Sequence, residues 1–313
     1  MLVLTREDVE ELLDLDAVVD ALADAFVDLS EGRASMPQRV ASFSGHGLLG
    51  TMPAYLPCAN ILETKLVTLF EGNAGTDLPT HQAAIAVFDP ERGSMTALMD
   101  GTYITATRTA AGSALSTRLL ARDDARVLAV CGTGVQAGTH ARAVSRVRRF
   151  EEIRIAGRDR AKAEALAAEV GGVAVDDFED AVRGADVVSA TTHSPEPVVR
   201  REWLAPGTHV TSVGVNPEGA ELEHALVADA AVFVESRDAV LAPFPAGAND
   251  LRGLDPERLT ELGEVITGAR PGRTNAEQIT VYKSVGVGVM DAAAAALVMR
   301  AAAERGAGRE IEL

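Results

Sequence analysis

The stretch VLAVCGTGVQAGTHAR, from Val127 to Arg142, begins as an apolar, strand-like run, passes through glycines and resumes with helical spacing. Gly132, Gly134 and Ala137 have the GxGxx[G/A] spacing, in which small residues permit a tight turn and let a pyrophosphate approach a helix N-terminus closely. Because this turn follows a strand, opens a helix and lies within a βαβ pattern, the stretch predicts a dinucleotide site, and a glycine turn with only a structural role is the alternative. The predicted cofactor contacts of the turn are Gly132, Thr133, Gly134, Val135, Gln136 and Ala137.

The next strand of the pattern ends in IAGRDR (155–160), where a dinucleotide site contacts the adenosine ribose. A terminal acid pairs with a free 2′-hydroxyl, whereas an arginine accommodates a 2′-phosphate. Arg158, with Arg160 close by, therefore favours NADP(H), while Asp159 keeps NAD(H) possible. The alternative is that the two arginines only solvate a helix start. A later strand ends in TTHSPEP (191–197), so Thr191 and Thr192 are also predicted to approach the cofactor.

The composition is typical of a soluble globular protein, with 47% apolar and 24% charged residues. A formal charge of −17 would repel phosphate backbones and anionic lipid, so we expect small-molecule ligands and neither a nucleic acid nor a membrane as partner. Cys58 and Cys131 lack the spacing of a zinc site or a disulfide framework, and we expect no metal. The lack of a disulfide framework fits a reducing cytoplasm, and the N-terminus lacks the basic-then-apolar order of a secretory signal.

The periodicity divides the chain into two kinds of structure. Residues 5–32 have helical spacing with Thr5 as N-cap, and residues 39–100 contain short apolar pieces that predict a sheet with hairpins. Residues 103–122 return to helix. From Val127 strands alternate with helices, which indicates a parallel sheet wrapped by helices, and the tail 280–306 predicts a strand or turn followed by an alanine-rich helix.

With these elements in place, the chain resembles the ornithine cyclodeaminase/mu-crystallin family, which also includes archaeal-type alanine dehydrogenase and the ketimine reductases. The most specific motifs are the long LPTH…LMDG…TATRTAA block and the YKSVG block, which are not expected in a generic dinucleotide-binding protein. The matching blocks are MPQRV (36–40), ETKLV (63–67), GTDLPTHQAAIAVFDPERGSMTALMDGTYITATRTAA (75–111), GTGVQA (132–137), ELGEVITG (261–268) and YKSVGVGVMDAAAA (282–295).

The resemblance implies an α/β fold with a doubly wound Rossmann domain and a smaller α+β domain for substrate binding and dimerisation. We assign residues 119–287 to the Rossmann domain, and residues 1–118 with 288–313, from both chain ends, to the smaller domain. Homodimers are usual in the family. Further cofactor contacts implied by the matching turns are Val213, Gly214, Lys283, Ser284 and Gly286.

Three cations match the family's substrate site. Arg39 and Arg108 correspond to its carboxylate-binding arginines, and a bidentate arginine holds a carboxylate with directional control. Arg39 is otherwise a solvated loop cation, and Arg108 is otherwise part of a buried salt bridge, with Asp100 as one candidate partner. Lys65 interrupts an apolar strand, where burial can destabilise its ammonium, so we assign it to carboxylate contact and proton transfer; a solvent-facing edge lysine is the alternative.

Asn216, in SVGVNPEG, is an informative departure from the family. The cyclodeaminase and alanine dehydrogenase branches place an aspartate here, and an amide cannot act as that base, although it can hydrogen-bond an imine or water. Asn216 is therefore a candidate catalytic residue or a plain turn residue before Pro217. The sequence favours an NAD(P)H-dependent oxidoreductase acting on the C=N or CH–NH bond of small imino or amino acids. The alternatives are an ornithine or lysine cyclodeaminase and a mu-crystallin-like NADP-binding protein.

Overall fold

The computed structural model describes residues 1–312, which form two compact units. The first contains Met1–Arg108 and the chain from Val287 onward, and the second is Thr109–Gly286. The first division therefore falls inside helix α3 (Gly101–Leu120), ten residues before the boundary expected from the sequence. The later part of this helix belongs to the second unit because the Ser113 and Ser116 hydroxyls hydrogen-bond the rings of His140 and His209 there.

The first unit contains a sheet that, within the described residues, has seven strands in the order β15-β1-β6-β5-β4-β3-β2. The strands are β1 (Leu2–Leu4), β2 (Val40–Phe43), β3 (Leu48–Leu56), β4 (Ile61–Leu69), β5 (His81–Phe88), β6 (Met95–Asp100) and β15 (Arg309–Glu310). Its helices are α1 (Arg6–Leu12), α2 (Leu15–Ser30), the start of α3 and α10 (Gly288–Arg305). Both chain ends contribute to this unit.

The helical segment near the N-terminus is two helices because Asp14 begins a second one. Thr5 is the N-cap of α1, as predicted, and its side chain accepts a hydrogen bond from the Asp8 amide. Asp14 caps α2 in the same way through the Ala17 amide.

Alternation along β3 and β4 directs one face of the sheet toward α10. On β4, Glu63, Lys65 and Val67 share the buried face, whereas Leu66 is exposed on the other. Helix α10 starts close to β3, since a Cβ at Gly288 would lie 3.1 Å from the Ala54 Cβ. The sheet thus carries two ionisable side chains into the unit's interior.

The second unit contains a sheet in which, over the part of the chain that is described, eight strands follow the order β13-β12-β14-β11-β10-β7-β8-β9 and pair in parallel. The strands are β7 (Val127–Cys131), β8 (Glu152–Ala156), β9 (Val173–Ala174), β10 (Val187–Ala190), β11 (His209–Ser212), β12 (Ala231–Val234), β13 (Leu259–Glu261) and β14 (Thr280–Lys283). The helices are α4 (Val135–Val147), α5 (Arg160–Val170), α6 (Phe178–Val182), α7 (His224–Asp229), α8 (Arg237–Val240) and α9 (Leu262–Thr267), with the end of α3.

The central strands of this sheet are buried on both faces, as a helix-covered parallel sheet requires. The chain runs outward from β7 to β8 and β9, then returns to place β10 on the other side of β7. This reversal creates a crevice at the carboxyl ends of β7 and β10, where doubly wound sheets bind ligands. The α/β fold class expected from the sequence, with a Rossmann domain and a smaller α+β domain, is confirmed.

Candidate active site

The glycine turn occupies the crevice between β7 and β10. Gly132 has a φ of +130°, and a Cβ there would lie 2.5 Å from the Thr191 Oγ1, so only glycine fits. Gly134 is the N-cap of α4 and has no side-chain cap, which leaves the first amides of the helix directed outward. Apart from its chain neighbours and the backbone of α4, no atom of residues 1–312 lies within 4 Å of a Cβ placed on Gly134. The turn therefore fits a pyrophosphate.

The residues around this turn hold it in position. The Thr191 hydroxyl donates to the Cys131 carbonyl at 2.9 Å, which links the ends of β7 and β10. Ala137 is fully buried beneath the turn, and a Cβ at Gly157 would lie 2.5 Å from the Thr133 Cγ2. Val135, in contrast, is 74% exposed at the start of α4. This exposed apolar side chain next to free amides is open to a ligand.

The three charged residues after β8 have different surroundings. Asp159 is the N-cap of α5 and accepts from the Lys162 amide at 3.2 Å. Arg160 pairs with Glu164 at 2.8 Å and with Asp176 at 2.7 Å. Arg158 is exposed, and its guanidinium has no hydrogen bond or ion pair with any described residue. Two of the three side chains are thus engaged at the helix start, while Arg158 remains available.

A buried cluster of ionisable side chains lies in the first unit. The Lys65 Nζ lies 2.7 Å from the Asp291 Oδ2, and the Arg108 Nε lies 2.9 Å from the Asp291 Oδ1. Lys65, Arg108 and Asp291 are at most 4% exposed. The alternative that paired Arg108 with Asp100 is wrong about the partner, because the Asp100 carboxylate instead accepts from the Tyr103 amide at 2.8 Å and starts α3.

Burial lowers the pKa of Lys65 to about 7, and the nearby charges of Arg108 and Arg39 contribute to the lowering, while Asp291 opposes it. The alternative of a solvent-facing lysine is therefore excluded. Burial also lowers the pKa of His81 to about 4, with help from Lys65 and Arg108, so this imidazole beside the cluster is neutral at physiological pH. The cluster has one group that exchanges a proton near neutrality, set among permanent cations.

Two acids of this cluster were not predicted from the sequence. Asp291 joins both cations, and burial alone would raise its pKa, but Arg108 and Lys65 hold the pKa below its usual value. Burial and the Asp291 charge raise the pKa of Glu63 well above its usual value, which favours the neutral form of this carboxyl. Neither Glu63 carboxyl oxygen has a hydrogen-bond partner among residues 1–312. The sequence did contain one signal for Asp291, since it is the single acid in the apolar run 285–299. A carboxylate buried in such a run needs cationic partners.

Asn216 lies in the turn after β11 and has the geometry of a turn residue. Its Oδ1 accepts from the Glu218 amide at 2.8 Å, and its Nδ2 donates to the His193 carbonyl at 3.0 Å. The first of these bonds is an Asx turn, which Asn-Pro sequences favour. Both polar atoms of the side chain are engaged, which favours the turn alternative over a catalytic role.

The polar groups of the YKSVG block, predicted to contact the cofactor, face buried partners. The Lys283 ammonium is fully buried, pairs with the Asp250 carboxylate at 2.9 Å and donates to the Ser212 hydroxyl at 2.9 Å. The Ser284 hydroxyl and the Gly286 amide both donate to the buried Glu235 carboxylate, at 2.9 and 2.8 Å. Lys283, Ser284 and Gly286 thus have buried partners within the second unit, which favours a role in supporting the turns over direct contact with a cofactor.

The helices of residues 1–312 include none with the length and apolar character that crossing a bilayer requires. The same residues contain no group of three or more His, Cys, Asp or Glu side chains placed to hold a metal ion.

Relatives of known function match nearly the whole chain. Ketimine reductase mu-crystallin of Mus musculus is 41% identical over 304 residues, which cover 94% of this chain and 95% of that protein. The structure of Thermococcus litoralis Delta(1)-pyrroline-2-carboxylate reductase in complex with NADH and L-proline is 32% identical, with a TM-score of 0.93 over 99% of this chain and 100% of that one. A dimeric archaeal alanine dehydrogenase with bound NAD is 30% identical, with a TM-score of 0.91 over 100% of this chain and 99% of that one.

A turn built for a pyrophosphate, a buried lysine with a near-neutral pKa and this set of relatives define the protein as an NAD(P)-dependent oxidoreductase. The model of the ornithine cyclodeaminase/mu-crystallin family matches residues 1–306. The chain belongs to this family, and the resemblance noted in the sequence is confirmed.

Proposed function

We propose that the protein reduces the C=N bond of small cyclic or N-alkylated 2-imino acids with NAD(P)H. The observation that carries the proposal is the buried Lys65–Asp291–Arg108 cluster, in which a proton donor with a pKa of about 7 lies among cations suited to a carboxylate. The similarity to the mouse ketimine reductase and to the Thermococcus pyrroline-2-carboxylate reductase supports a C=N bond as the group reduced.

The residues of the first unit bind the substrate and supply the proton. Arg108 and Arg39 hold the carboxylate, and Arg108 is oriented for this by its bond to Asp291. Lys65 gives one proton from Nζ to the imine nitrogen and becomes a neutral amine, which solvent reprotonates after the product leaves. When bound to the second unit, the nicotinamide cofactor supplies the hydride that reduces the imine carbon. The glycine turn and the first amides of α4 would hold its pyrophosphate.

A redox-neutral cyclodeamination has weaker support. Position 216 holds an amide where the cyclodeaminase branch has an acid, and both polar atoms of Asn216 are engaged in its own turn. Reduction of a preformed imine needs a proton donor but no base for a substrate ammonium, so it tolerates this asparagine.

We propose NADPH as the preferred cofactor. Arg158 has no partner among the described residues and is exposed at the end of β8, where a 2′-phosphate would lie. Asp159 caps α5, so its carboxylate is already used at the place where an acid would bind the 2′-hydroxyl of NADH.

We propose a homodimer formed through the outer face of the first unit's sheet. On this face, β2, β3 and β4 expose the apolar side chains of Val40, Leu49 and Leu66. Leu78, in the loop before β5, is also exposed, and exposed apolar patches mark interfaces. A second copy of the chain would cover them, in keeping with the dimer of the archaeal alanine dehydrogenase.

The test is a spectrophotometric screen of NADPH and NADH oxidation with pyrroline-2-carboxylate, piperideine-2-carboxylate, and pyruvate with ammonia or methylamine. We expect oxidation with at least one cyclic imino acid, faster with NADPH. Ornithine and lysine are included, with ammonia and the cyclic product measured directly. Ammonia release without net absorbance change would identify a cyclodeaminase instead, and no oxidation across the panel would overturn the proposal.

A further inference from the structure

A buried carboxylate joins two turns at the carboxyl edge of the parallel sheet. Glu221 is 2% exposed, and its Oε1 accepts from both the amide and the hydroxyl of Thr192. Its Oε2 accepts from the Ser212 hydroxyl and the Gly214 amide, each at 2.8 Å. One side chain therefore fixes the turn after β10 and the turn after β11 with four hydrogen bonds.

A buried ion pair supports this carboxylate from behind. The Lys283 Nζ donates to the Ser212 hydroxyl at 2.9 Å and to the Gly214 carbonyl at 2.5 Å. Its partner, Asp250, accepts from the amide of Leu222, the residue after Glu221, at 2.8 Å. Both the amide and the carbonyl of Gly214 are thus held, and β14 is tied to the same turns. A fully satisfied buried network of this kind makes a local conformation rigid.

The two turns also pack closely against each other. A Cβ at Gly214 would lie 2.2 Å from the Thr192 carbonyl oxygen and 2.7 Å from the Glu221 Oε2. Thr192 and Gly214 nevertheless remain partly exposed, while Glu221, Ser212 and Lys283 behind them are buried. The network is therefore a hidden support for a surface that a ligand can reach.

The order of strands identifies the part of the cofactor that this surface faces. The pyrophosphate site lies at the end of β7, and the adenosine ribose is read at the end of β8, on one side of it. Strands β10 and β11 lie on the opposite side of β7, so the nicotinamide half extends over their ends. We infer that Glu221, supported by the Lys283–Asp250 pair, is a positioning residue that fixes the turns at 191–192 and 213–214 for the nicotinamide half. This inference rests on the dinucleotide cofactor of the proposed function but not on the imine substrate.

The test compares whole and truncated cofactors on Glu221→Gln. Glutamine keeps the size of the side chain, but its amide nitrogen cannot accept a hydrogen bond. It therefore loses either the two bonds from Thr192 or the two from Ser212 and Gly214. Dissociation constants are measured by calorimetry for NADPH and NADH, and for ADP-ribose and its 2′-phosphate, which lack nicotinamide. We expect binding of both whole cofactors to weaken about tenfold, and binding of the truncated ligands to stay within about twofold.

Asp186→Asn is the matched control, because Asp186 also accepts from backbone amides, those of Arg126 at 2.7 Å and Val127 at 3.0 Å, but at the amino edge of the sheet. We expect this variant to keep the wild-type ratio of whole to truncated affinity. If Glu221→Gln does not fold, Ser212→Ala removes the hydroxyl between Lys283 and Glu221 and should produce the same selective loss, about threefold.

Equal loss for whole and truncated ligands, or no loss for either, would overturn the inference and leave Glu221 a general stabiliser of the unit. No binding of the truncated ligands to the wild type would overturn it together with the cofactor site. Because no imine enters these measurements, a wrong substrate assignment leaves their outcome unchanged.

Discussion

Replacing Asp291 by asparagine should move the pH dependence of imine reduction to lower pH. The Asp291 Oδ2 lies 2.7 Å from the Lys65 Nζ, and its charge raises the pKa of Lys65 against burial and Arg108, which together lower it to about 7. An opposite charge at such a distance typically shifts a pKa by about one to three units. The substitution also removes a charge that raises the pKa of Glu63, so that carboxyl ionises more readily and replaces part of the lost field. We therefore expect the pKa of Lys65 to decrease by about one unit, the lower end of that range.

The assay is kcat/KM for the best imino acid between pH 5 and 9. In the proposed reaction Lys65 acts as an acid, so its active form is the ammonium, which is lost as the pH rises through the pKa of Lys65. The wild type should be flat below pH 7, where the pKa of Lys65 lies, and fall about tenfold per unit above it. For Asp291→Asn the bend should lie about one unit lower, so that activity at neutral pH falls roughly fivefold and most of it returns in acid.

Ionisation of the free substrate can also produce a bend in the pH profile of kcat/KM. That bend is the same for the wild type and Asp291→Asn, so the substitution does not move it. Cofactor affinity of the second unit is the control and should not change. A bend that stays in place or moves to higher pH would refute the role of Lys65 as proton donor.

Four further substitutions each test one part of the assignment. Arg108→Lys keeps the charge but loses the planar fork, and should raise the KM for the imino acid about tenfold or more while the cofactor dissociation constant stays constant. Arg158→Ala should weaken NADPH about tenfold and leave NADH unchanged in a binding titration; equal effects would contradict the 2′-phosphate contact. Gly132→Ala places a side chain at a φ of +130° and 2.5 Å from the Thr191 Oγ1, and should abolish measurable cofactor binding. Leu66→Glu, on the exposed sheet face, should give a monomer by light scattering, and an unchanged dimer would assign the interface elsewhere.

The sequence predicted many helices and strands and the dinucleotide-binding fold, because each of these is determined by residues close together in the chain. The tight turn of Gly132 and Gly134, the Thr5 cap and the alternation of strand and helix after Val127 each depend on residues a few positions apart. The change of periodicity near Val127 indicated two kinds of structure, and the family resemblance supplied the assignment to two domains. The exact division inside α3 did not, because it depends on hydroxyl groups that meet histidines far along the chain.

The acids of the site were missed for the same physical reason. Asp291 is separated from Arg108 by 183 residues, so their pairing exists only in the tertiary structure. Asp250 similarly has no local pattern that distinguishes it from a surface acid. Lys283 was interpreted as a ligand contact because the YKSVG motif matches a turn of the family. A sequence match does not reveal which way a side chain points. The buried pair that it forms with Asp250 became visible only with the fold.

The protonation of Glu63 bears on how the proposed substrate cluster would bind an anion. With Lys65 and Arg108 protonated and Asp291 ionised, these three groups carry one net positive charge, which a substrate carboxylate would compensate. An ionised Glu63 would cancel that charge and weaken the attraction for a carboxylate at a buried site. Burial and the Asp291 charge raise the pKa of Glu63 and so favour the neutral form that the proposed binding requires. The acid closest in sequence to the proposed proton donor, Lys65, therefore supports anion binding when it is uncharged, whereas the distant Asp291 supports it by orienting Arg108.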